Sequence, residues 1–133
     1  MSSFRIDVDF PAFISEYKTA RKKFASFKND LKTALEELEA NPKVGDQIPG
    51  CGDDLFKIRI GVKGQLGKRG GYRLIYHVDW DRAVITPVAL YFKPDTPDLP
   101  DSKIKERFGR VVEYLAEQEA QKSAEAQAEQ PPS

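Results

Sequence analysis

Apolar and polar residues alternate at the start of the chain. Phe4, Ile6, Val8 and Phe10 point one way and Arg5, Asp7 and Asp9 the other, the period-2 pattern of a half-buried strand. Pro11 follows, at a place where a helix can begin, since its missing N–H would be unpaired in a first turn anyway. Phe13, Ile14, Tyr17, Ala20, Phe24 and Phe27 then recur at three- and four-residue steps, and Leu31, Ala34, Leu35 and Leu38 continue the stripe. A helical run of roughly thirty residues is too long for one helix of a small domain. The pattern therefore predicts a helical hairpin broken near Phe24 to Ser26. Asn41-Pro42 ends its second helix, because the residue before proline avoids the helical region. Residues 48–52 read as loop from their Pro and Gly content.

Alternation returns over residues 55–60, with Phe56, Ile58 and Ile60 inward and Lys57 and Arg59 outward. The Gly-rich stretch 61–71 turns the chain into a second strand over 72–78, and a third covers 83–92. Pro87 cannot donate a ladder hydrogen bond, so it calls for a bulge or an edge position. Asp101 or Ser102 can cap a last helix, whose apolar stripe is Ile104, Phe108, Val111, Val112 and Leu115. From about Gln121 the chain has no apolar face. The expected organisation is one domain over residues 1–120 and a polar tail over 121–133 without structure. The order β-α-α-β-β-β-α predicts an α+β fold: an N-terminal strand and helical hairpin, an antiparallel sheet of three to four strands, and a C-terminal helix, with the helices on one face of the sheet or at its ends.

Length and composition narrow the possibilities. A chain of 133 residues has room for one domain, and 40% hydrophobic residues suffice for a folded core. Lys and Arg (21) balance Asp and Glu (21), so only the distribution of charge can point to a polyanionic partner. A single cysteine, Cys51, excludes an internal disulfide, and with one histidine a His/Cys zinc cluster is implausible. No metal and no cofactor is expected. The N-terminus lacks the apolar core of a signal peptide, and no apolar run approaches the ~20 residues of a membrane helix. A cytoplasmic protein with no membrane partner is the expectation.

Charge is not spread evenly. Between Leu55 and Val78 there is no Asp or Glu, but there are Lys57, Arg59, Lys63, Lys68, Arg69 and Arg73. The first helical stretch adds Lys18, Arg21, Lys22, Lys23, Lys28 and Lys32, while acid gathers in Glu36, Glu37, Glu39 and the tail. Alternating Lys and Arg also make the ordinary solvated face of an antiparallel sheet. Such faces usually mix signs, and a hairpin free of acid is what a phosphate backbone attracts.

The segments Leu55-Phe56-Lys57-Ile58-Arg59-Ile60, Gly70-Gly71-Tyr72-Arg73-Leu74-Ile75-Tyr76-His77-Val78 and Val88-Ala89-Leu90-Tyr91-Phe92-Lys93 resemble the strands of the RelE/HigB toxin family, and Leu38-Glu39-Ala40-Asn41-Pro42 resembles its helix end. The resemblance spans roughly residues 4 to 115. It implies a RelE/ParE-like fold and a type II toxin that cleaves mRNA on translating ribosomes. Basic residues on the concave sheet face would grip the message and promote attack of a ribose 2′-OH on the adjacent phosphate, without a metal. By position, Lys57, Arg59 and Arg73 match the family's catalytic basic residues, and Tyr91 and Lys93 match the end of the last strand. Lys63, Lys68 and Arg69 would add to RNA binding. The implied partners are a cognate antitoxin, in a hetero-oligomer, and the ribosome with its mRNA. The chain departs from the RelE pattern at Pro94, where that pattern has an arginine, and in having no tyrosine between Tyr91 and Tyr114.

Lys57 and Arg59, two apart on a strand, project from one face, and Arg73 shares its face with Ile75 and His77. Parity alone leaves open whether these are the same face, because the register across the Gly-rich connection is not fixed by sequence. Arginine is always protonated and cannot act as general base. His77 has the pKa for proton transfer, yet it is equally an exposed or hydrogen-bonded strand residue, and a lysine crowded by cations is another candidate. Tyr72 or Tyr91 can stack on a base or serve the core. Two rival readings stay open: a ParE-like gyrase inhibitor of the same fold, and a non-catalytic module whose charged hairpin docks RNA or an acidic protein. The last helix either rests on the sheet or is exchanged for an antitoxin helix.

Overall fold

The computed structural model describes residues 4–51, 54–62, 71–96 and 98–129. The elements run β1 (Arg5–Ile6), α1 (Pro11–Lys23), α2 (Phe27–Ala40), β2 (Asp46–Gln47), β3 (Leu55–Ile60), β4 (Tyr72–Asp79), β5 (Val84–Phe92) and α3 (Asp101–Glu129). The fold is α+β with the predicted succession of elements. The helical hairpin breaks at Phe24–Ser26: the extended backbone of Phe24 caps α1, its N–H bonding the Ala20 carbonyl at 2.9 Å. Arg21, Lys22 and Lys23 sit in the last turn of α1, where the helix dipole favours cations. Asn41, extended ahead of Pro42, ends α2.

The sheet differs from expectation in two ways. It has five strands in the order β1-β5-β4-β3-β2, and it is mixed, since β1 runs parallel to β5 with Arg5 opposite Val84 and Ile6 opposite Ile85. The expected first strand over residues 4–10 shrinks to two residues. β2 is an equally short edge strand against Lys57 and Phe56, and both its residues are exposed. Two exposed residues carry no alternation for a sequence to display. The longer pairings are antiparallel, β3 with β4 and β4 with β5.

Helices cover both faces rather than one. Tyr72, Leu74 and Tyr76 face the hairpin: Tyr72 packs on Phe27 at 4.5 Å between ring centroids, and the Tyr76 hydroxyl donates to the Pro42 carbonyl at 2.7 Å while accepting the Gly45 N–H at 3.1 Å. Phe13, Ala20, Phe27, Leu31, Ala34 and Leu38 supply the hairpin's buried side. The opposite face carries Arg73, Ile75 and His77, and α3 lies over its far half, with the Phe108 ring 5.1 Å from the His77 ring and Ile104 and Val111 buried.

Pro87 is accommodated by a bulge. Ile75 pairs with Ala89 but Tyr76 pairs with Pro87, so Val88 is the extra residue, and the shift brings Thr86 onto the face of its partner His77. Beyond β1 the outer edge of β5 is closed by side chains instead of backbone. The Leu90 N–H donates to Glu16 Oε1 at 3.1 Å, and Arg107 Nη1 donates to the Val88 carbonyl at 3.0 Å and to Glu16 Oε1 at 2.9 Å. One partly buried ion pair thus satisfies the edge and ties α1 to α3.

α3 continues to Glu129, so the tail expected to lack structure from residue 121 is helical over most of its length. Ala, Glu, Gln and Lys are strong helix formers, and intrinsic propensity extends the helix past the end of its apolar stripe. Among the described residues no helix is long and apolar enough to cross a membrane.

Candidate functional site

Register decides what parity left open. Arg59 pairs directly with Arg73, and Arg73 with Tyr91, so these three form one row across β3, β4 and β5 on the face away from the hairpin. Lys57, Ile75 and Ala89 form the next row on the same face. The Lys93 N–H bonds the Gly71 carbonyl at 3.0 Å, which places Lys93 at the end of the same surface. Lys57, Arg59, Arg73 and Lys93 together line a cleft of about 340 Å³, whose other wall is Asp46 to Pro49. Sequence reasoning missed that wall, because β2 has no hydrophobic signature.

Charge in the cleft is crowded. Arg73 is only 6% exposed, and burial, then the positive charge of Arg59, lowers the pKa of its guanidinium. Like charges directly opposite on paired strands are destabilising; Arg73 Nη1 donates to the Tyr72 carbonyl at 3.2 Å. Tyr91 lies beside Arg73 and is 8% exposed; burial, then the charge of Asp98, raises its pKa, and the hydroxyl keeps its proton. It can donate a hydrogen bond but has little surface on which a base could stack.

Asp98, three residues before α3, puts Oδ1 3.7 Å from Lys57 Nζ. Side-chain exposures of 37% for the lysine and 70% for the aspartate mean the pair contributes at most about 1 kcal/mol. An incoming anion can displace it. No spacing in the turn-rich segment 93–100 singles Asp98 out; its only sequence signal is that it is an acid soon after the last strand.

The structure does not bring His77 to the cleft. Four residues along β4 from Arg73, roughly 13 Å at a strand's rise per residue, it lies beneath Phe108 with Nδ1 buried and without a hydrogen-bond partner. Burial lowers its pKa, partly opposed by Asp54 and Asp79. Tyr72 belongs to the core against Phe24, Phe27 and Phe92. Lys63, Lys68 and Arg69 lie outside the described residues.

A family model described as the ParE toxin of the type II toxin–antitoxin system parDE matches residues 11–90, more than half of the chain. Among solved structures, a doubly substituted mutant of the E. coli toxin RelE in the free state is similar at 20% identity and a TM-score of 0.51, over 86% of this chain and 99% of that one. The isolated E. coli RelE toxin is 18% identical over the same shares, with a TM-score of 0.49. At such identities the RelE mutant supports the fold alone. The chain therefore belongs to the ParE toxin family of type II toxin–antitoxin systems.

Proposed function

We propose that this toxin is a ribosome-dependent endoribonuclease that cleaves mRNA by attack of a ribose 2′-hydroxyl on the adjacent phosphate. One observation carries the reading: the β3–β4 register sets Arg59 opposite Arg73 on the face that Lys57 shares, around one cleft. In-line attack gathers negative charge on the phosphoryl oxygens and on the departing 5′ oxygen, and preorganised cations aimed at that charge are usually the largest catalytic contribution. In this reading Arg73, held rigid by burial, stabilises the transition state, while Lys57 and Arg59 bind and neutralise the phosphate. Lys93 extends the cationic lining of the cleft, and Lys63, Lys68 and Arg69 would add to RNA binding. The site of action is then the cytoplasm, on translating ribosomes, and the antitoxin that a type II toxin implies would restrain the protein in a hetero-oligomer.

The test is mRNA cleavage in a translation extract, mapped by primer extension. Arg73→Ala is expected to lower the cleavage rate by about 10²–10³-fold. Full cleavage by that variant would remove Arg73 from the chemistry.

A second reading is favoured by the family match itself, which is to a ParE toxin, and by Pro94 and the absence of a tyrosine between Tyr91 and Tyr114. It makes the chain a gyrase inhibitor without ribonuclease activity. A DNA supercoiling assay run beside the primer-extension assay separates the two.

A further inference from the structure

We propose that Asp98 is the general base of the cleft, the group that takes the proton from the attacking 2′-hydroxyl. This rests on the endoribonuclease reading above. Such a reaction needs a proton acceptor, and the two arginines that line the cleft supply none: a guanidinium stays protonated at any pH of interest. His77, the acceptor its ordinary pKa would suggest, is covered by Phe108 away from the cleft. Tyr91 keeps its proton, for the reasons given. Among the described residues two carboxylates stand beside these cations. Asp46 lines the cleft from the edge strand, opposite Lys57, and its charge also bears on the Tyr76 phenol. Asp98 is the one of the two in ion-pair contact with a cation of the cleft: it meets Lys57, and its charge bears on Tyr91, next to Arg73 in its row.

At 3.7 Å the Lys57–Asp98 contact is longer than a hydrogen bond, and both side chains are solvated, so a phosphate can enter between them. The carboxylate then faces the 2′ oxygen and the ammonium the 5′ oxygen. As the 2′-O–P bond forms and the P–O5′ bond breaks, the 2′-hydroxyl proton passes to Asp98 and the departing 5′ oxygen takes a proton from Lys57. The products are a 2′,3′-cyclic phosphate and a 5′-hydroxyl. When they leave, the Asp98 carboxyl returns its proton to the Lys57 amine and the original ion pair is restored with no net proton change.

The experiment compares the full chain with Asp98→Asn and Asp98→Glu, and with Asp95→Asn as control. Asp95 is on the same connection but bonds Lys23 at 2.8 Å, on the hairpin. Cleavage is followed in a translation extract. Binding is followed to ribosomes programmed with an mRNA carrying a 2′-deoxy nucleotide at the cut site. Asp98→Asn should cleave about 10²–10⁴-fold more slowly while binding as tightly as wild type, with part of the rate recovered in Asp98→Glu and all of it in Asp95→Asn. If Asp98→Asn cleaves at the wild-type rate or faster, the carboxylate merely occupies the place of a phosphate and the proposal is overturned. Loss of binding in step with cleavage overturns it too, as a structural role. A wild-type chain that leaves mRNA intact overturns the endoribonuclease reading itself, and this inference with it.

Discussion

Arg73 is a charged residue that the sheet buries, at 6% exposure, beside a second arginine. It faces Arg59 across the ladder, a like-charge pairing that is unfavourable in itself, while its Nη1 donates to the Tyr72 carbonyl at 3.2 Å. A solvated face would have set an acid or a neutral residue opposite. Lys57 and Arg59 on one face were legible from their spacing, since strand parity is two, but the position of Arg73 relative to them required the register. The same parity gave a misleading hint at His77, which shares the face of Arg73 yet lies under α3. Parity names a face of the sheet; it does not say what covers it.

His77 makes its own prediction. Burial holds its pKa below the ordinary 6.5, so between that lower value and about 6.5 the folded chain binds fewer protons than the unfolded chain. Its contribution to stability is fully present above about pH 6.5 and is lost as pH falls through the folded value. The melting temperature should decline on acidification from pH 7.5 to 5.5. His77 is the only histidine in the chain, so His77→Gln should flatten that decline. An equally steep decline in the variant would place the titrating group elsewhere.

At the scale of elements, the strongly periodic segments were readable and the short ones were not. The hairpin break, the Asn41-Pro42 stop and the strand over residues 55–60 follow from local chemistry that no tertiary contact overrides. β1 and β2 are two residues each, held by pairing rather than by pattern. β2 matters because it walls the cleft, and its entry depends on Gly45. A Cβ at Gly45 would lie 2.6 Å from the Ile58 side chain, 2.7 Å from the Tyr76 hydroxyl and 2.8 Å from the Lys57 carbonyl, the last of them sheet backbone. Gly45→Ala should therefore cost about 2 kcal/mol by overpacking. That lowers the melting temperature by roughly 7 °C in a chain of this size. An unchanged melting curve would mean that the 43–47 segment is free to move off the sheet.

For the whole molecule, a chain of zero formal net charge gathers Lys57, Arg59, Arg73 and Lys93 around one cleft, so bulk composition concealed what arrangement reveals. α3 covers the far half of that surface and leaves the near half open, while the Glu16–Arg107 pair locks α1, β5 and α3 into one body. The cleft is consequently built on paired strands, and Asp98 meets Lys57 from the connection to α3. A site of this kind can hold a phosphate at fixed geometry as charge develops on it. The direct test is to add the purified chain to a translation extract with two otherwise identical messages, one all-ribose and one with a 2′-deoxy nucleotide at the mapped cut. The account predicts cleavage of the first, leaving a 2′,3′-cyclic phosphate end, and none of the second. Cleavage of both would contradict it, as would intact messages accompanied by loss of DNA supercoiling activity.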